Sequence, residues 1–193
     1  MALLNSSDRI VRNLLHINSR ITNEILEQSS IKEASKKPLN SYQMSSLTLL
    51  YSTGRKKMSD FKTLYDVSLP AVTKTIDKLE RLGYAKRLLD SSDRRSVWVE
   101  ITDEGKRVVK IYQQSYLRKV KSALENWTEE EKSTFINALQ KFMEKAIEII
   151  PTTNVICLQC HGLISESCIV QSHSGTCIYQ EEKRPIAEIS SSL

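Results

Sequence analysis

Four cysteines offer the most versatile chemistry in the chain, and all of them fall after residue 150, at Cys157, Cys160, Cys168 and Cys177. Their spacing is C-x2-C-x7-C-x8-C, with His161 directly after the second and His173 between the third and fourth. One C-x2-C pair followed by single cysteines suits an iron–sulfur cluster held by four thiolates. A structural zinc would take the four cysteines, or three with His161 or His173 as a substitute, although its usual signature has two C-x2-C knuckles. Without a metal, the same thiols could serve as a reversible thiol/disulfide switch. Permanent disulfides are disfavoured in a reducing cytoplasm. Cys157 to His161 also fits the C-x-x-C-H haem-attachment pattern. That chemistry needs an export route, and the N-terminal MALLNSSDRIVRNLL carries charges where a signal peptide needs an apolar stretch. A cytoplasmic, non-membrane protein is therefore expected. The tail is too poor in apolar residues to build a core of its own, so a staple is what such a segment usually requires.

A second set of residues could bind phosphate. The turn Asp90-Ser91-Ser92-Asp93-Arg94-Arg95 ends in paired arginines, and the helical stretch before it carries Lys74, Lys78 and Arg81 on one face. Residues 1–150 hold 26 Lys and Arg against 19 Asp and Glu, whereas residues 151–193 hold 2 against 4. A basic body with an acidic tail suits a polyanionic partner, because Lys and Arg at phosphates release counterions.

The elements that position these groups lie between Val67 and Thr102. Ser68 is placed to cap a helix, Pro70 falls in its first turn, and Leu69, Val72, Ile76 and Leu79 recur as a core-facing stripe. Gly83 supplies a left-handed stop. Ala85 to Leu89 and Val97 to Ile101 then alternate as the two strands of a hairpin around the arginine-tipped turn. Helix, glycine and basic hairpin together give the layout of a winged helix-turn-helix, whose helix enters a major groove while the tip reaches neighbouring phosphates or the minor groove.

The run GYAKRLLDSSDRRSVWVEITDEG resembles the wing and following helix start of the MarR family of transcription regulators, most specifically at Asp93 to Arg95 and at Ile101 to Gly105. The resemblance covers roughly residues 8–150 and leaves the last 43 unexplained. It implies that double-stranded DNA is read at Ser68, Pro70, Ala71, Thr73, Lys74 and Lys78. Ser and Thr hydroxyls reach bases or phosphates, alanine packs on a thymine methyl, and Lys78 contacts phosphate. Arg95 matches the family's wing arginine, with Asp93 bracing it, and Arg94 and Arg87 are expected at the DNA backbone. A small-molecule effector between the winged domain and the dimer helices is implied by the family alone. Redox-sensing members often use a cysteine in the N-terminal helix, and this chain has none there.

Along the rest of the chain, residues 8–28 read as an amphipathic helix with Ile10, Leu14, Ile17, Ile21 and Ile25 on one face. Residues 29–40 are polar and are expected to connect. Ser41 is expected to cap the next helix and Ser59 the short one after it. Only Asp66 and Val67 separate that short helix from Ser68, the tight corner of a helix-turn-helix. Thr102 caps a helix to about Asn126, and Thr128 to Glu131 is a capping box opening a helix to Ile150. The fold expected is mostly α with a small β-wing. Its winged core spans residues 41–101, dimerisation helices span 8–28 and 102–150, and the cysteine-rich tail spans 151–193.

The long terminal helices offer more apolar face than one small domain can cover, so a two-fold homodimer is the economical solution. It would set two reading helices one duplex turn apart, as a palindromic operator requires. No phosphate-cradling glycine loop, nucleophile elbow or framed carboxylate pair points to an enzyme. The function expected is a DNA-binding transcription regulator controlled by the tail or by a ligand. The alternative is a metal-binding or electron-transfer protein that uses the winged fold for protein contacts.

Overall fold

Apolar residues at helical spacing dominate the chain, and the computed structural model, which describes residues 6–89 and 96–149, is accordingly helical with one small sheet. The elements in order are α1 (Ser6–Arg20), a π-helical stretch (Ile21–Gln28), α2 (Ser29–Ala34), α3 (Ser41–Thr53), β1 (Lys56–Lys57), α4 (Met58–Tyr65), α5 (Leu69–Arg81), β2 (Ala85–Leu89), β3 (Val97–Ile101), α6 (Asp103–Ala123) and α7 (Glu129–Ile149).

The core gathers Leu47 and Leu50 of α3, Phe61 of α4, Val72, Ile76 and Leu79 of α5, Val99 of β3, and Val108 and Val109 of α6. The sheet runs in the order β1-β3-β2, antiparallel throughout, with Lys57 opposite Trp98 and Leu88 on its other side. The two hairpin strands have the bounds their alternation predicts. β1 was not foreseen, because a two-residue lysine strand has no apolar alternation to reveal it; its pairing to β3 makes it a strand.

One corner locks the wing to α6. Gly83 adopts φ +79°, the left-handed stop that glycine favours. Thr102 caps α6 by accepting from the Gly105 N–H at 3.1 Å, and its hydroxyl donates to the Gly83 carbonyl at 2.6 Å. Its backbone N–H donates to the Tyr84 carbonyl at 3.0 Å. A side chain at Gly105 would collide with that same carbonyl. The ITDEG run is thus a weld between the start of a helix and the turn at the far end of the hairpin.

Three expectations about α2, α3 and α4 need correction. Residues 29–40 are only partly a connector, since Ser29–Ala34 continues the helical run and buries Ser30, Ile31 and Ala34. Polar composition misled there because α2 is held by a polar clamp. The Glu33 carboxylate accepts from Ser115 Oγ and Lys119 Nζ at 2.6 Å each and from Arg118 at 2.7 Å. The cap of α3 is Asn40 rather than Ser41: Asn40 and Gln43 exchange side chain-to-backbone bonds at 2.9 and 3.0 Å. Ser59 lies inside α4, which starts at Met58, with the Asp60 carboxylate accepting from the Lys57 N–H at 2.8 Å. The capping box at Thr128 and Glu131 forms as expected.

Candidate nucleic-acid interface

The short helix α4 ends in Asp66, at φ 48°, and α5 begins three residues later. That tight turn swings α5 across the core, where Val72, Ile76 and Leu79 are fully buried and Thr75 nearly so. Burying three aliphatic side chains contributes roughly 1.5–3 kcal/mol each, enough to fix the helix's rotation about its axis. The opposite face is therefore fixed too, and it presents Ser68, Pro70, Ala71, Thr73 and Lys74 to solvent, with Lys78 half-buried further along. Ser68 occupies the N-cap position but makes no side-chain cap bond, contrary to the sequence expectation, and stands exposed.

Leu69 also departs from expectation. Its place in the 3-4-3 stripe put it in the core, yet it is 48% exposed. The core ends one turn short of the helix start, and Val67 of the preceding turn packs there instead. Leu69 lines a shallow recess along the outer face of α5, together with Pro70, Thr73, Lys74, Asp77 and Arg81.

Two carboxylates on α5, Asp77 and Glu80, would oppose an anionic partner, and Arg87 of β2 engages both. Its guanidinium Nη1 lies 2.6 Å from Asp77 Oδ1 and 2.6 Å from Glu80 Oε2, while its backbone N–H donates to Glu80 Oε1 at 2.8 Å. Arg87 Nη2 also reaches the Thr73 carbonyl at 3.4 Å. The structure thus ties Arg87, expected at the DNA backbone, to α5 itself, with less than a third of its side chain exposed. On the far edge of the sheet, Arg55 and Lys57 lie over the Trp98 ring at 4.8 and 5.1 Å from its centroid. Sequence reading passed over that pair; the alternation that turns Trp98 away from buried Val99 was the available signal.

The wing-tip residues Asp93, Arg94 and Arg95 lie outside the described residues, as do Cys157, Cys160, Cys168, Cys177, His161 and His173. Among the described residues no group of three or more His, Cys, Asp or Glu side chains is placed to hold a metal ion, and no helix is long and apolar enough to cross a membrane.

A positioning helix, a tight turn, an outward-facing second helix and a three-stranded sheet define a winged helix-turn-helix. Residues 39–97 match the model of the MarR family. The chain is 34% identical over 119 residues to the HTH-type transcriptional regulator YfiV of Bacillus subtilis, covering 61% of this chain and 73% of that protein. It is 32% identical over 130 residues to YkoM of the same organism, covering 67% and 83%. This chain belongs to the MarR family of transcription regulators.

The fold agrees. RV1404 of Mycobacterium tuberculosis superposes with a TM-score of 0.64 at 22% identity, over 75% of this chain and 97% of that one. FabT of Streptococcus pneumoniae, solved in complex with DNA, gives 0.61 at 20% identity, over 75% and 99%.

Proposed function

We propose that this chain binds double-stranded operator DNA as a two-fold homodimer and so regulates transcription. One observation carries the reading. The reading helix α5 is fixed by three buried aliphatic residues, with the small and cationic side chains Ser68, Pro70, Ala71, Thr73 and Lys74 facing outward. Short side chains at the start of such a helix let its backbone approach base edges, and Lys74 and Lys78 supply phosphate contacts further on. The DNA complexes solved for FabT and for Escherichia coli MarR support the same use of this fold.

The dimer reading rests on the terminal helices. Ile10, Leu14, Ile17, Ile21 and Ile25 in the N-terminal run and Phe135, Ile136, Leu139 and Phe142 in α7 are exposed in the single chain. A second copy packed on these faces would bury them and set the two α5 helices on successive turns of a palindrome.

The test is selection of duplexes from a random pool by the full-length protein, followed by titration of the selected sequence at fixed and at varied salt. A pseudo-palindromic sequence bound with a steep salt dependence is expected. Absence of any preferred sequence would overturn the reading. Arg95→Ala should lower operator affinity about tenfold while leaving the dimer intact. An unchanged titration would remove the wing from DNA contact.

The control element is proposed to be the tail, with Cys157, Cys160, Cys168 and Cys177 holding an iron–sulfur cluster whose loss shifts the dimer between DNA-binding populations. Anaerobic purification with metal and acid-labile sulfide analysis decides it. Iron with sulfide supports the cluster. One zinc per chain replaces it with a structural site of the four cysteines, or of three with His161 or His173 as the fourth ligand. Metal-free protein whose thiols pair on mild oxidation leaves the thiol switch. A small effector held between the winged domain and the dimer helices would act on the same equilibrium.

A further inference from the structure

Leu69 breaks the amphipathic pattern of α5 in the direction that costs most. It is a leucine left half in water at the first position of the reading helix, between exposed Ser68 and exposed Pro70. No core contact requires it, since Val67 packs against the core from the preceding turn. Along the outer face of α5, Leu69 and Pro70 form the apolar end of a shallow recess that Thr73, Lys74, Asp77 and Arg81 complete. The cations Lys74 and Arg81 in the same recess suit an anionic partner. The one carboxylate in the recess, Asp77, has its charge countered by Arg87 at 2.6 Å. A single apolar side chain with a proline beside it is far too small to seat a protein partner, whose interface needs on the order of 1,000 Å². It does match a single methyl group. In the major groove, the apolar group that base pairs present is the 5-methyl of thymine.

We propose that Leu69 reads the 5-methyl group of one thymine in each operator half-site, so that apolar contact and not hydrogen bonding sets the base choice at that position. The proposal rests on the DNA-binding reading above and adds the base and the residue that chooses it. In the complex, the leucine methyls close over the thymine methyl and both leave water. Pro70 shields the contact from one side.

The test works from the DNA side and needs no altered protein to begin. Each thymine of the selected operator is replaced singly by deoxyuridine, which removes the methyl and keeps every hydrogen-bonding group. The wild-type chain should bind about fourfold more weakly when one thymine of a half-site is changed, and about fifteenfold more weakly when its symmetry mate is changed too. Leu69→Ala, a surface change, should bind the unmodified operator with the same loss and show no further response to deoxyuridine at that position.

Three results would overturn something, and they differ. If no duplex is selected at all, the DNA-binding reading falls and takes this one with it. If an operator is selected but every deoxyuridine is silent, only the leucine reading falls. If one deoxyuridine weakens binding equally in wild type and Leu69→Ala, another side chain, Ala71 first among them, reads the methyl.

Discussion

The winged unit and the terminal helices of this chain handle the same kind of residue in opposite ways. Between α3 and the first half of α6, large apolar side chains such as Leu47, Phe61, Val72, Ile76 and Val108 are fully enclosed by the chain's own elements. In α1 no residue is buried, although Ile10, Leu14 and Ile17 recur there at the same helical spacing. The π-helical stretch that continues α1 also buries nothing fully. Isolated helices of this length are marginal in water even with good propensity. The contrast therefore separates a unit that folds on its own contacts from helices whose large apolar side chains the other described residues leave uncovered.

That separation can be attacked from both sides. The largest effect belongs to the core. Phe61→Ala removes a fully enclosed ring between α4 and the rest of the winged unit and should cost about 3–5 kcal/mol in urea unfolding. A loss below about 1 kcal/mol would mean the winged unit is not the independently packed part. On the other side, Leu14→Glu combined with Ile17→Glu places charge on a face that is exposed among the described residues. Light scattering should report a monomer with an unchanged unfolding midpoint for the winged unit. Operator affinity should fall at least about a hundredfold as the second reading head is lost. A protein that stays dimeric would place the dimer contact elsewhere.

How far the sequence carried depended on which of these two regimes a residue belongs to. The hairpin bounds, the Gly83 stop, Thr102 as a cap and the Thr128–Glu131 box were legible because local chemistry decides them. α2 was not legible, because Ser30, Glu33 and Ser115 look like solvated residues until their mutual bonds are seen across 82–85 positions of sequence. Leu69 failed for a related reason. Periodicity tells which face a residue is on but not where along the helix the core stops. The candidate interface positions Ser68, Pro70, Ala71, Thr73 and Lys74 were placed by resemblance and found exposed together, and Arg87 turned out to be bound to two carboxylates on the same helix.

Arg87 offers a finer test of how rigidly the winged unit presents α5. With Arg87→Ala, Asp77 and Glu80 keep their charges but lose their counterion, and two carboxylates then face the phosphates. A unit charge at a few ångströms in water is worth about 1 kcal/mol, so operator affinity should fall about five- to tenfold. A direct phosphate contact would give the same loss, but the two causes separate in the double variant. If neutralisation is the role, Asp77→Asn in the Arg87→Ala background restores most of the affinity. If Arg87 touches DNA, the second change restores nothing.

The smallest expected effect sits at the join of the two regions, where α2 leads from the N-terminal helices onto α6. Hydrogen bonds from Lys119 and Ser115, with the nearby charge of Arg118, hold the Glu33 carboxyl down to about 2 from its ordinary 4.5. The unfolded chain therefore takes up this proton at a higher pH than the folded chain does. Stability from the clamp is fully present above pH 4.5 and is lost as the pH falls from there towards 2. Glu33→Gln should lower the urea midpoint modestly at neutral pH and flatten its decline through that acid window, because the variant has no carboxyl to protonate. The clamp faces solvent on one side, so the shift is expected to be small beside that of Phe61→Ala. Midpoints of the two proteins that fall in parallel from pH 4.5 downward would mean that α2 is held on α6 by Ile31, Ala34 and the Ser30 hydroxyl without help from the Glu33 charge. The polar bridge from Glu33 would then add nothing to the joint between the folded unit and the N-terminal helices.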